Sequence, residues 1–288
     1  MRREPRRSWL VLVLCLLAVS ISPGAAQQPA AASEFVILLT NDDGYDAAGL
    51  RALAQAFDGM GTVYVAAPAQ NQSGKGHSIV TSDPITVFER RQPNGISWFA
   101  VEAPPATAAR MGIDTLLPRK PDVVISGINR GENLGIVVYY SGTLGAAREA
   151  AIAGIPAIAV SMEVSRESTF DTTAAYTRKL VERLRADGML KPGLFLNVNA
   201  PAGEAKGVRV TRLSLKANDQ IWERRRSPRG RVYFWSDYRP LTDDEEGTDV
   251  WAHARGFITV TPLVLDTTAQ GQMSGLRKLE QMPAGVSK

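Results

Sequence analysis

Cysteine and histidine are almost absent from this 288-residue sequence, with one Cys and two His. Cys15 lies inside an N-terminal apolar stretch, so the chain beyond it has no thiol, and disulfides and cysteine-bound metals are excluded there. His77 and His253 are far apart, which rules out a zinc site built from closely spaced His and Cys ligands. The first strand-like run has no Gly-x-Gly-x-x-Gly turn, which argues against a nicotinamide dehydrogenase. No apolar run reaches the roughly 20 residues of a bilayer span. The longest is Trp9–Ile21, interrupted only by Ser20.

That run is preceded by Arg2, Arg3, Arg6 and Arg7 and followed by Gly24-Ala25-Ala26, the layout of a cleaved signal peptide. Arg6-Arg7-Ser8-Trp9-Leu10 is also similar to a twin-arginine export signal. Leu14, which is not a small residue, precedes Cys15, and this argues against lipoprotein processing. The expectation is export to the periplasm or medium after cleavage near Ala26, with no stable membrane anchor. Residues 1–26 hold four Arg and one Glu, so most of the +4 formal charge belongs to the leader and does not indicate a nucleic-acid binder.

Residues 27–33 read as a linker. Strand-like runs at Val36–Leu39, Val63–Ala67, Asp122–Ile125 and Ile155–Val160 alternate with helix-like segments at Gly49–Phe57, Ala106–Leu117 and Leu144–Ala153. Alternation of this kind predicts right-handed βαβ crossovers, hence an α/β, Rossmann-like three-layer core with a mainly parallel sheet over residues 34–200. Residues 201–288 read as β-rich, with segments at Val208–Leu215, Arg231–Ser236 and Gly256–Leu265. Pro228-Arg229-Gly230 reads as a hairpin tip, and exposed Trp222, Tyr233 and Trp235 on that arm suit contact with another subunit. The tail from Thr267 is polar and helix-like.

Four short blocks carry chemistry. In Asn41-Asp42-Asp43-Gly44 two carboxylates follow an apolar run. The carboxyl end of a buried parallel strand is where ligands bind, and paired carboxylates there suit a hard divalent cation, although a turn or helix cap uses the same residues. Asn71-Gln72-Ser73-Gly74-Lys75-Gly76 is a small polar loop whose amides can cradle an anion or simply close a flexible connection. Pro121 to Asn129 is a second buried strand ending in Gly and Asn, and the Asn129 amide oxygen is an acceptable ligand for Mg²⁺, Mn²⁺ or Ca²⁺. Tyr140-Ser141-Gly142-Thr143 precedes a small-residue helix, where hydroxyls and free amides bind phosphate or cap the helix.

In this order the four blocks resemble the SurE family of survival proteins, metal-dependent 5′-nucleotidases and acid phosphatases. Asn133-Leu134-Gly135, Leu196 to Pro201, Gly207 to Arg212, Gly247-Thr248-Asp249 and Gly256 to Leu263 extend the resemblance along nearly all of the chain after the leader. It implies that Asp42, Asp43, Ser73 and Asn129 hold one divalent metal per subunit, Mg²⁺ or Mn²⁺, and that Asn41, Gly74, Ser141, Gly142 and Thr143 hold phosphate. Asp42, Asp43 and Asn129 would carry catalysis. It further implies a homodimer or homotetramer in which C-terminal β arms and tails exchange. Ala69, Ile136 and Val137 stand where members commonly carry acidic residues, which alters the rim of the site and bears on substrate preference.

The expected reaction is hydrolysis of nucleoside 5′-monophosphates and other small phosphomonoesters, a metal-oriented water attacking phosphorus in line while the cation offsets charge. A covalent aspartate route needs two Asp separated by one residue, and Asp42 and Asp43 are adjacent. The alternative is an exported protein that binds metal and nucleotide without turnover. His77, close to the Ser73 loop, reads as a loop residue or as a proton donor to the leaving group, and His253 as structural in a 249–256 turn. Arg224, Arg225, Arg226, Arg229 and Arg231 coincide with the predicted hairpin and are balanced by Asp243, Asp244, Glu245 and Glu246, so no specific nucleic-acid partner is expected.

Overall fold

The computed structural model describes residues 34–92, 95–165, 169–216, 219–239 and 241–282. The expected leader and linker lie outside them.

The strands are β1 (Val36–Thr40), β2 (Thr62–Pro68), β3 (Val87–Arg91), β4 (Ser97–Val101), β5 (Val123–Arg130), β6 (Ala157–Met162), β7 (Phe195–Ala200), β8 (Val208–Val210), β9 (Asp219–Arg226), β10 (Val232–Arg239) and β11 (Ile258–Pro262). The helices are α1 (Ala48–Phe57), α2 (Pro105–Met111), α3 (Gly142–Ile152), α4 (Asp171–Ala186), α5 (Asp249–Ala254) and α6 (Gln270–Leu276). Nine strands form one sheet in the order β3-β4-β2-β1-β5-β6-β7-β11-β8, and β9 pairs with β10 in a separate hairpin. Within the nine-stranded sheet pairing is parallel except at β3–β4 and β7–β11, and the β9–β10 hairpin is antiparallel.

Every residue of β1 is buried because both faces of the sheet are covered. Its side chains alternate: Ile37 and Leu39 pack with Leu50, Leu53 and Phe57 of α1 and with Val181 and Leu184 of α4. Val36 and Leu38 face the opposite way, onto Leu144, Ala147 and Ala150 of α3 and Ala108 of α2. The result is the expected three-layer α/β core. In α1 the buried residues Leu50, Leu53, Ala54 and Phe57 fall at helical spacing, which turns one stripe of the helix inward.

The chain leaves β1 in opposite directions, to β2 on one side and β5 on the other. This switch point opens a crevice at the carboxyl ends of β1 and β5, the usual ligand position of such sheets. After residue 200 the chain adds β8 and β11 to the same sheet and projects the β9–β10 hairpin, whose turn lies at Ser227–Arg231 as its sequence predicts. Of the segment 208–215 only Val208–Val210 is strand, and the expected turn at 249–256 contains the short helix α5, capped by the Thr248 hydroxyl on the Trp251 amide. No helix among the described residues is long and apolar enough to cross a membrane.

Candidate active site

β1 stops where its apolar run meets Asn41. The Asn41 side chain closes a tight turn, its Nδ2 donating to the Gly44 carbonyl (2.9 Å) and its Oδ1 accepting from the Gly44 amide (3.2 Å). Gly44 has φ of +110°, a conformation that other residues seldom adopt. The turn leaves Asp42 and Asp43 in the crevice.

Asp42 is almost fully buried, at 3% exposure. Its Oδ1 accepts a 2.6 Å hydrogen bond from the Thr143 hydroxyl at the start of α3, and its carbonyl accepts from the Gln72 amide (2.8 Å). The helix comes this close because residue 142 is glycine: a Cβ there would lie 2.8 Å from Asp42 Cβ and 2.9 Å from Asp42 Oδ2. Burial pushes the Asp42 carboxyl up to about 6; the Thr143 hydrogen bond opposes this and the neighbouring Asp43 charge adds to it. Asp43, half-buried, accepts from the Arg130 amide (3.1 Å) and the Asn71 side chain (3.4 Å). Its carboxyl is also raised by burial, against the hydrogen bond and charge of Arg130.

Asn129 reaches the crevice through an irregularity in β5. The β5–β6 register shifts between Ser126 and Asn129, the kind of bulge that re-aims side chains at a sheet rim. Gly127 makes this possible, since a Cβ there would lie 2.3 Å from the Val160 carbonyl oxygen. Asn129 Nδ2 donates to the Gly131 carbonyl (2.8 Å), an arrangement that reserves its amide oxygen for another partner. Ser141 is the N-cap of α3, its hydroxyl accepting from the Leu144 amide (3.3 Å).

The predicted residues Asn41, Asp42, Asp43, Ser141, Gly142 and Thr143 thus meet around one crevice, with Asn129 beside Arg130 on its wall. Ser73 and Gly74 lie exposed in the neighbouring loop. Among the described residues their only tie to the carboxylates is indirect: the Ser73 amide bonds Asn71 Oδ1 (3.0 Å), and Asn71 bonds Asp43.

Two contributors escape a reading of short motifs, Asn71 and the Arg130 amide, because their bonds to Asp43 span 28 and 87 residues of chain. A third is a buried amide cluster. The Asn133 amide donates to Asn199 Oδ1 (2.7 Å), its side chain to the Ser161 hydroxyl (2.8 Å), and its carbonyl accepts from Asn197 Nδ2 (2.8 Å). With Asp249 Oδ2 accepting from the Gly135 amide (2.8 Å), this cluster fixes the segment that leads into α3. The stretches Asn133–Gly135, Leu196–Pro201 and Gly247–Asp249 stand out in sequence only through the family resemblance, and nothing local in them shows that these side chains meet.

The donor set suits a hard cation. Neither Asp42 nor Asp43 has an ion-pair partner among the described residues, and burial raises both carboxyls despite the charge of Arg130 near Asp43, so the crevice gathers negative charge that its protein neighbours do not offset. No group of three or more His, Cys, Asp or Glu side chains gathers among the described residues. A cation here would therefore take the two carboxylates and complete its shell from amide, hydroxyl or water oxygens, as Mg²⁺ and Mn²⁺ do.

Comparison with known proteins agrees with this geometry. Residues 37–220 match the family described as survival protein SurE. The 5′-nucleotidase SurE of Pelotomaculum thermopropionicum is 40% identical over 247 residues, covering 84% of this chain and 94% of that protein. The 5′-nucleotidase SurE 1 of Thermus thermophilus is 42% identical over 84% of this chain and 97% of its own length, and that of Geotalea daltonii 43% identical over 85% and 98%. The crystal structure of the SurE protein from Aquifex aeolicus superimposes with a TM-score of 0.75 at 36% identity, covering 85% of this chain and 100% of that one. With its paired carboxylates at the switch point and its sequence matched over most of its length, the chain belongs to the SurE family.

Proposed function

We propose that this protein is a phosphomonoesterase that hydrolyses nucleoside 5′-monophosphates with one bound Mg²⁺ or Mn²⁺. The observation that carries the reading is the abutment of the Asp42–Asp43 pair on the N-terminus of α3, enforced at Gly142. The names of the matched relatives support the nucleotidase class.

The chain's own groups divide the work. Gly142 and Thr143 open α3, so their amides lack intrahelical partners and the positive end of the helix faces the crevice, where a phosphoryl group would dock. Two carboxylates in the same crevice would repel that group, and a divalent cation held by Asp42, Asp43 and Asn129, with Ser73 from the loop, supplies the compensating charge and Lewis acidity. Thr143 keeps Asp42 oriented through its hydroxyl, and the Arg130 amide does the same for Asp43. Pre-set donors of this kind need not reorganise as charge develops, which is the main source of electrostatic catalysis. Ala69, Ile136 and Val137 would leave the rim less acidic and so favour anionic substrates.

The test is phosphate release from a panel of nucleoside monophosphates, with chelated protein given back Mg²⁺ or Mn²⁺, beside Asp43→Asn. Metal-restored turnover in the wild type and its loss in the variant support the reading. Nucleotide binding without turnover under every metal condition overturns it.

Assembly as a homodimer or homotetramer belongs to the same proposal. On the β9–β10 hairpin Trp222, Phe234 and Trp235 are all more than half exposed, and α6 buries none of its residues. Aromatic surface of this extent suits a subunit interface. Arg225 is occupied by Glu223 (2.6 Å) and the Trp235 ring, which supports a protein contact over a nucleic-acid patch. Export through residues 1–26 completes the proposal, to be checked by the N-terminal sequence of the protein recovered from periplasm or medium.

A further inference from the structure

The loop 69–86 between β2 and β3 carries Asn71, Ser73 and Gly74 but has almost no core of its own. Within residues 70–83 only Gly76 is buried. Such a segment is costly to order unless it is tied to the fold. Its ties are few: the Gln72 amide to the Asp42 carbonyl (2.8 Å), Asn71 to Asp43 (3.4 Å), the Gly76 amide to the Tyr140 carbonyl (3.0 Å) and the Val80 amide to the Thr107 hydroxyl (2.9 Å). The shortest is the 2.6 Å contact between His77 Nε2 and Glu149 Oε1.

Glu149 projects from α3, and its side chain is only 8% exposed. Its second oxygen lies 3.9 Å from Arg110 Nε of α2. One turn earlier on α3 the loop crosses the helix at Gly145, where a Cβ would come within 2.4 Å of the Gly76 carbonyl oxygen. A buried carboxylate is a poor device for joining α2 to α3, because desolvation offsets much of what its partners return and an apolar side chain of like volume would pack as well. What the carboxylate provides, and an apolar side chain would not, is a fixed point for His77.

We propose that Glu149 is a positioning residue: by holding His77 it fixes the Asn71–Gly76 loop against the first turns of α3, so that the loop faces the Asp42–Asp43 pair before substrate arrives. Neither side chain touches the substrate in this arrangement. His77, read from sequence as a loop residue or proton donor, becomes the anchor of the loop. The inference rests on the phosphohydrolase reading for its kinetic consequence, though not for its structural one.

The experiment compares wild type, Glu149→Gln, His77→Ala, His77→Gln and the double variant His77→Ala with Glu149→Gln. Each is assayed for phosphate release from AMP with Mn²⁺, for thermal midpoint, and for amide exchange over residues 70–78. Losing the hydrogen bond to a charged group in His77→Ala should lower kcat/KM by about 10- to 100-fold, and Glu149→Gln, which keeps an acceptor oxygen but loses the charge, should lower it by less. Exchange over 70–78 should accelerate while the amides of β1 stay protected. The double variant should be no worse than His77→Ala alone, because both substitutions act through one contact and the loss of His77 already removes it. His77→Gln, which keeps an N–H donor, should recover part of the loss. Additive losses in the double variant, or unchanged exchange over 70–78, overturn the proposal. Should Glu149→Gln fail to fold, the partly exposed His77 still provides the test through His77→Ala and His77→Gln. A wild type without turnover refutes the phosphohydrolase reading alone, and the exchange data still decide whether the clamp exists.

Discussion

Removing the charge of Asp42 should stabilise the metal-free protein while abolishing its function. Burial holds the Asp42 carboxyl at about 6, against an ordinary value of 3.8. A carboxyl raised on folding binds its proton more tightly in the native state, so its contribution is favourable below the unfolded value and is lost as pH rises through the folded one. At pH 7.5 the ionised, desolvated Asp42 then costs the metal-free fold up to about 3 kcal/mol, the shift of roughly two units multiplied by 1.36. Asp42→Asn keeps an oxygen for the Thr143 hydroxyl and removes the charge. In chelator at pH 7.5 its thermal midpoint should exceed that of the wild type by about 5–10 °C, given roughly 2–4 °C per kcal/mol for a domain of this size. At pH 4.5 most of that difference should have gone, and below the unfolded value of 3.8 the two proteins should melt together. Adding Mn²⁺ should raise the wild type and leave the variant unmoved, because a ligand that binds only the native state stabilises it by mass action. A variant less stable than the wild type at pH 7.5, or a difference that does not change with pH, would refute the reasoning.

Other substitutions probe other links in the same chain of causes. Gly142→Ala places a methyl 2.8–2.9 Å from Asp42 atoms and 3.0 Å from Pro105, so steady-state kinetics should show kcat/KM falling by at least about 100-fold, the scale of a 1 Å misplacement in a catalytic site. Leu53→Ala empties a fully buried position under β1 and should cost about 2–5 kcal/mol in urea unfolding with kcat unchanged. Trp235→Glu puts a charge on the aromatic face of the hairpin, and light scattering should show the assembly shifting to smaller species. Metal affinity measured by calorimetry should weaken as pH drops below about 6, because the cation must then displace the proton from Asp42.

The parts of the fold that could be read from sequence are those whose burial is complete and whose residues are apolar. β1, β2, β5 and β6 show as continuous apolar runs, and α1 shows as a helical stripe. α4 escaped because Thr173 and Thr177 occupy inward positions beside Ala174, Val181 and Leu184, which lowers its apolar contrast. β7 escaped because Asn197 and Asn199 interrupt its core pattern in order to hold Asn133. β3, at the sheet edge, reads Val-Phe-Glu-Arg-Arg and carries too much charge to look like a strand. At the site, the carboxylate pair and the Ser141–Thr143 turn were visible because each is local. The Arg130 amide and the Glu149–His77 contact join residues 87 and 72 positions apart, and no local pattern records them.

α3 buries nine of its eleven residues and is built largely of glycine and alanine. Packed on nearly every side, it has little free surface, at Arg148 and Ile152, on which change can accumulate harmlessly. A larger side chain at most of its positions would displace the helix as a rigid rod, and its first turn would move against Asp42. Thermal hardening and catalytic tuning of this enzyme are therefore coupled along one rod. Variation that raises stability without disturbing the chemistry should collect instead on the edge strand β3 and on the outer face of α4, where side chains meet water.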